Sequence, residues 1–229
     1  MTESTPISVA SMKMETAIVV SVQFLLVIAL VQAANAMGFE GALSALIGAL
    51  FIFLPVIVLD RRGKPYERYG MKFQSPLPDF PMIFMLAAIT WPPIVAAVFL
   101  FPEMWQLQLP NWTLNVPAGY VSTFVAHFLV VALPEEFFFR GYLLGRLDDI
   151  FTGRITILGA KIGHGLWISS LVFAVGHFSV DFHASRLLVF FPALAFGYLK
   201  IKRNSIIAPI IFHGLCNVFM DIFRSGLGL

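Results

Sequence analysis

The chain has 229 residues, of which 59% are hydrophobic and 12% charged, with a formal net charge of +2 and a mean hydropathy of +0.85. Soluble domains carry about a quarter charged residues, so this composition excludes a water-soluble globule and predicts one all-α, polytopic transmembrane bundle over residues 1–229. The small net charge and the lack of a basic stripe interleaved with aromatics exclude a nucleic-acid partner, and the lone Cys216 excludes an intrachain disulfide and a cysteine-based zinc site.

A bilayer core takes about 20 apolar residues as a helix. Apolar runs of about that length predict seven spans, at 16–36, 42–59, 81–101, 117–144, 158–182, 186–200 and 204–223, or eight if one of the longer runs divides. The first follows a polar stretch whose only base is Lys13 and is long enough to span, so it reads as a retained helix. Arg61, Arg62, Lys64, Arg68 and Lys72 follow the second span. Between the third and fourth, residues 102–116 hold Trp105 and Trp112 and suit an outer interfacial loop. Arg146, Arg154 and Lys161 follow the fourth span, and Lys200, Lys202 and Arg203 follow the sixth. With Lys13, twelve of the fifteen basic residues fall on one side. Cytoplasmic loops accumulate Lys and Arg, so the N-terminus is expected in the cytoplasm, the C-terminus outside, and the chain in a plasma (inner) membrane. Glu40, Glu103, Asp181 and Arg186 occupy the opposite loops.

A charge at the bilayer centre costs at least about 2.5 to 3.5 kcal/mol, and such residues face a bundle interior and have a task. The fourth span contains Pro134, Glu135, Glu136, three phenylalanines and Arg140. Glu136 and Arg140, four apart, share a helix face and can pair. Glu135 points about 100° away, and an unpaired carboxylate in an apolar setting suits a general base. The alternative is a buried ion-pair network that only holds helices together.

Phe173 and His177 in the fifth span, and His213 and Asn217 in the seventh, are again four apart. Two histidines, an asparagine and a glutamate pair on three helices form a constellation that folding could assemble into one cavity. His127 can hydrogen-bond within the bundle but reads first as a packing residue of the fourth span, and His164 and His183 read as interfacial. Cys216 and His213 do not share a helix face, so a thiol nucleophile is disfavoured. A serine nucleophile in a Gly-x-Ser-x-Gly setting does not occur. A proton or ion carrier would use the same buried groups, but no duplicated pattern relates the two halves.

The blocks Glu-Glu-x-x-x-Arg at 135–140, Phe-x-x-x-His at 173–177 and His-x-x-x-Asn at 213–217 resemble the CPBP family, the Abi-type membrane group of CAAX-processing and bacteriocin-processing endopeptidases. The resemblance covers residues 117–223. It implies an intramembrane glutamic-type endopeptidase acting on a peptide or protein in or near the lipid bilayer, with no cofactor required. Glu135 would be the base, His177 would orient the attacking water, and His213 and Asn217 would donate to the oxyanion. Glu136, Arg140 and Phe173 would support them. The residue types also permit a divalent metal such as zinc at Glu135, His177 and His213, while Asn217 suits an oxyanion donor better than a ligand. A catalytically idle scaffold or immunity protein is the remaining alternative.

One expectation concerns depth. On the predicted boundaries, straight helices would separate the levels of Glu135 and His177 by roughly 15 Å.

Overall fold

The structure, a computed structural model, describes residues 8–37, 43–105, 112–116 and 119–227. Glu40 and residues 106–111, of the loop expected on the outer side, lie outside the described residues. Helix α1 is Val9–Met37, α2 is Leu43–Arg61 and α3 is Phe80–Leu100. A long composite helix, α4, runs over Tyr120–Ile150. It is followed by the hairpin β1 (Arg154–Ile157) and β2 (Ala160–Gly163), then α5 (His164–Asp181). A 3-10 turn at Ala184–Val189 leads into α6 (Phe190–Arg203), and α7 (Ile207–Gly226) completes the bundle. Six apolar segments are long enough to cross a membrane, among them Ala184–Arg203, which joins the 3-10 turn to α6, and α5 is a shorter apolar helix. The polytopic helical bundle is as the composition requires.

The hairpin is the departure from an all-α chain. Residues 158–163, expected to begin the fifth span, instead turn back as a strand, with Ile155 opposite Ile162 and Ile157 opposite Ala160. The turn residues Leu158 and Gly159 both have positive φ, the geometry of a tight hairpin turn. Lys202 Nζ and Tyr198 Oη both donate to the Leu158 carbonyl, at 2.7 and 2.9 Å, and fasten the tip to α6. The apolar residues of this segment made a lipid-spanning start plausible, and a Leu-Gly turn is a weaker hairpin signal than Asn-Gly.

Helix α4 is not uniformly α-helical. Wider π turns at His127–Ala132 and Phe137–Leu143 flank the α segment Leu133–Glu136. Pro134 has no N–H and its ring crowds the carbonyl four residues back. The widened turn before it accommodates that carbonyl, and π turns of this kind recur at functional sites. Helix α2 crosses here at Gly48, where an added Cβ would stand 3.2 Å from both Pro134 and the Val130 carbonyl oxygen.

One face of the bundle is laced by ion pairs. Glu15 at the start of α1 meets Arg62 and, at 2.9 Å, Arg146; Arg68 meets Asp149 at 2.6 Å; and Arg203 meets Asp79 at 2.7 Å. These are the residues that the charge pattern assigns to a single side. At the other end, Trp112 Nε1 donates to the Phe223 carbonyl at 3.1 Å and Thr113 N to Gly226 O at 2.9 Å, so the described part of the loop between α3 and α4 folds onto the end of α7.

Candidate active site

The depth gap between Glu135 and His177 closes because α4 runs on to Ile150, past its expected end at 144, and α5 starts at His164, later than the expected 158. Gly165, in its first turn, packs against Leu147 and Asp148 near the end of α4. From that contact Glu135 lies twelve to thirteen residues up α4 and His177 twelve residues up α5, which puts both at one level. His177 Nε2 is 4.0 Å from Glu135 Oε2.

His213 arrives from the other side on α7, with Nε2 3.8 Å from the same Glu135 oxygen and Nδ1 2.8 Å from Glu136 Oε1. The phenyl ring of Phe196 stacks on its imidazole (centroids 4.8 Å apart, 11° between planes) and Phe173 meets it edge-on. Gly214 makes this approach possible, since a Cβ there would fall 2.5 Å from the Phe128 ring of α4.

The hydrogen bonds fix the histidine tautomers. His177 Nδ1 is 3.0 Å from the Phe173 carbonyl oxygen, which only accepts, so Nδ1 carries the proton. Glu136 is buried and accepts from Arg140 Nη1 at 2.9 Å, so it is a carboxylate and His213 donates to it through Nδ1. In the neutral rings both Nε2 atoms are therefore bare lone pairs. They face Glu135 Oε2, a buried oxygen with no hydrogen-bond partner among the described residues. Separations of 3.8 and 4.0 Å exceed a direct hydrogen bond and match the gap that a single water bridges.

Arg140 completes the support. Its Nη2 donates to the Ala193 carbonyl at 3.2 Å, and its guanidinium carbon lies 4.4 Å from the Phe173 ring centroid and 5.0 Å from that of Phe196. The aromatic rings flank the buried cation. Arg140 is thus bound to Glu136, and through it to His213, rather than to Glu135.

A cavity of about 640 Å³ opens beside these groups, lined among others by His177, His213 and Asn217. Asn217 stands one turn beyond His213 on the wall of α7. Trp91 of α3 also lines the cavity, stacked on Phe219 at 4.3 Å and donating through Nε1 to Cys216 Sγ at 3.4 Å. Cys216 therefore faces an indole and not a base.

Two groups on the cavity wall escaped the sequence reading. His127, expected to pack, has Nε2 2.6 Å from Asp221 Oδ2 and joins α4 to α7 at the cavity rim. Asp221 continues the series His213, Asn217 at spacings of four, and that spacing was the signal available for it. His183, expected at an interface, has Nδ1 2.7 Å from Ser185 Oγ on the same rim. His164 opens α5, its ring 6.1 Å from that of Phe151.

Among the described residues no three His, Cys, Asp or Glu side chains converge closely enough to enclose a metal ion. Glu135, His177 and His213, the set whose residue types permit a divalent metal, stand at the separations given above.

Comparison with protein families matches residues 116–219 to the family described as type II CAAX prenyl endopeptidase, Rce1-like. The matched segment contains all three motif blocks, and the resemblance to the CPBP group of CAAX endopeptidases is borne out. Comparisons with curated proteins and with solved structures return no match.

Proposed function

Because residues 116–219 carry the Rce1-like endopeptidase pattern, we propose that this protein is an intramembrane endopeptidase that hydrolyses a peptide bond with water activated by Glu135 and the two histidines. The observation that carries the reading is the convergence of His177 Nε2 and His213 Nε2 on the unpartnered Glu135 Oε2.

A water seated between these three acceptors gives a proton to Glu135 as its oxygen attacks the peptide carbonyl. His177, held by the Phe173 carbonyl, orients that water. The carbonyl oxygen becomes an oxyanion, which the Asn217 amide stabilises as a donor. His213, held at Nδ1 by Glu136, adds a donor there only when its Nε2 carries a proton. Protonated Glu135 then gives its proton to the leaving amine as the C–N bond breaks, returning to its starting state.

The substrates that suit such a site are membrane-associated or exported chains: a CAAX-like terminus, a leader or a C-terminal sorting tail. A carrier or an idle scaffold would also bury ionisable groups, but neither needs two histidines whose Nδ1 atoms are both fixed so that their Nε2 atoms face one carboxylate.

The test is cleavage of a peptide library by detergent-purified protein, compared with Glu135→Gln and repeated in a chelator. Activity lost in Glu135→Gln and retained with chelator supports the mechanism. Chelator-sensitive activity reassigns Glu135, His177 and His213 as ligands of a divalent metal. Activity indifferent to Glu135 overturns the base, and no cleavage by the native chain overturns the endopeptidase reading.

A further inference from the structure

The cavity has a direction. Its wall deep in the bundle is Phe173, His177 and His213. From there it runs past His127, in the first turns of α4, to Ser185 and Arg186 between α5 and α6 and to Arg224 at the end of α7. All of these rim positions belong to the same end of the bundle, the one where α1, α3, α5 and α7 finish.

The opposite end is where the charge lies. Twelve of the fifteen Lys and Arg residues sit in its loops or helix ends, and it is tied shut by Glu15 with Arg62 and Arg146, Asp149 with Arg68, and Asp79 with Arg203. An excess of this size sets orientation during insertion and belongs in the cytoplasm. Of the three remaining bases, Arg140 is buried beneath the active site, while Arg186 and Arg224 both line the cavity rim. Two arginines on the far face work against the insertion bias. Their shared position on one cavity gives them a use there, in contact with what enters.

We infer that the active-site cavity opens on the membrane face away from the cytoplasm, and that its substrate is a segment of an exported or membrane-anchored chain presented from that side rather than a cytosolic C-terminus. The substrate assignment rests on the endopeptidase reading; the direction does not. Apolar side chains of the segment face the Trp91, Phe196 and Phe219 wall, and the rim arginines meet its acidic or carboxylate groups.

The direction is tested in intact cells producing the full chain with Cys216→Ser, to which single cysteines are added. Ser185→Cys and Arg224→Cys probe the rim, and Glu67→Cys and Thr152→Cys probe the charged face. A membrane-impermeant maleimide applied outside labels the first pair in intact cells and the second pair only after permeabilisation. The inverse pattern overturns the inference, and two positions on each face guard against one variant misfolding. The substrate is tested separately, with a peptide library anchored by one span and displayed on either face, using native protein and Glu135→Gln. Glutamate-dependent cleavage confined to the outer display supports the assignment, and cleavage confined to the cytoplasmic display overturns it. Cleavage of neither, with outside labelling of the rim, overturns the endopeptidase reading and its substrate while the direction stands.

Discussion

His213 Nδ1 and Arg140 Nη1 both contact one oxygen of Glu136, at 2.8 and 2.9 Å. A single buried carboxylate thus couples the imidazole of α7 to the guanidinium of α4. Glu136→Gln removes the negative charge and leaves Arg140 buried without a counter-ion, a change that costs about 3–5 kcal/mol. It also removes the carboxylate that holds His213 Nδ1, and kcat falls by about 10²–10⁴-fold. Thermal unfolding in detergent and steady-state cleavage read the two effects. An unchanged melting temperature would show that the pair does not hold the bundle together.

Arg140→Lys separates charge from shape. An ammonium keeps the ion pair with Glu136 but cannot at once reach the Ala193 carbonyl and lie flat against Phe173 and Phe196. The variant is expected to lose about 1–3 kcal/mol of stability, less than the loss in Glu136→Gln. Equal or greater loss would mean that the planar fork, rather than the charge, is the larger contribution.

Gly214→Ala places a methyl group against the Phe128 ring, which must shift or push α7 away from α4. Overpacking of this kind costs about 1–3 kcal/mol. Because His213 is the adjacent residue, kcat should fall together with the melting temperature. Retained activity in a destabilised protein would show that the site tolerates displacement of α7.

His127 and Asp221 are expected to behave differently. Asp221 is 42% exposed, and pairs of this exposure contribute about 0–1 kcal/mol. Asp221→Asn should leave the melting temperature nearly unchanged. On a rim that meets substrate before the chemistry, it should raise KM and leave kcat alone. A fall in kcat with constant KM would place the pair in the chemical step instead.

Tyr69 gives the charged face an alkaline limit. Burial, followed by the Asp149 carboxylate that its hydroxyl contacts at 3.0 Å, raises its pKa above the ordinary 10.0, with Arg146 opposing. The folded state holds the proton to higher pH than the unfolded chain. Stability therefore declines as pH rises from about the ordinary tyrosine value through the folded one. Tyr69→Phe should flatten that decline, which leaves the slope of Tyr66 beside Asp60, and cost about 1 kcal/mol near neutral pH for the lost hydrogen bond. Unfolding midpoints measured across that range check both, and an unaltered alkaline slope would remove Tyr69 from the account.

Much of this arrangement was legible in the residues, because a bilayer punishes ambiguity. An apolar run near 20 residues has few folded outcomes, and Glu135, Glu136 and Arg140 stood out because charge is costly there. Two features were not legible. Residues 158–163 carry apolar alternation as suited to an interfacial strand as to the start of a span, and only the docking of Leu158 on Tyr198 and Lys202 decides between them. The role of Glu136 depends on which of two adjacent acids, both close to His213, takes its Nδ1 and which faces its Nε2. Ideal α geometry does not fix that choice, because π turns on both sides of Leu133–Glu136 alter the rotation of the helix. The His127–Asp221 pair was hidden for a simpler reason: its partners are 94 residues apart, and neither belongs to a motif.

The indole of Trp91 lies in the cavity wall, clasped between Phe219 and the Cys216 sulfur. Thiols quench indole emission on contact, so this neighbour keeps Trp91 dim for as long as the hydrogen bond holds. Any occupant that wedges between α3 and α7 lengthens that contact and brightens the emission. The protein thus carries a built-in optical gauge of occupancy, one that would register an unlabelled guest before any bond is cut.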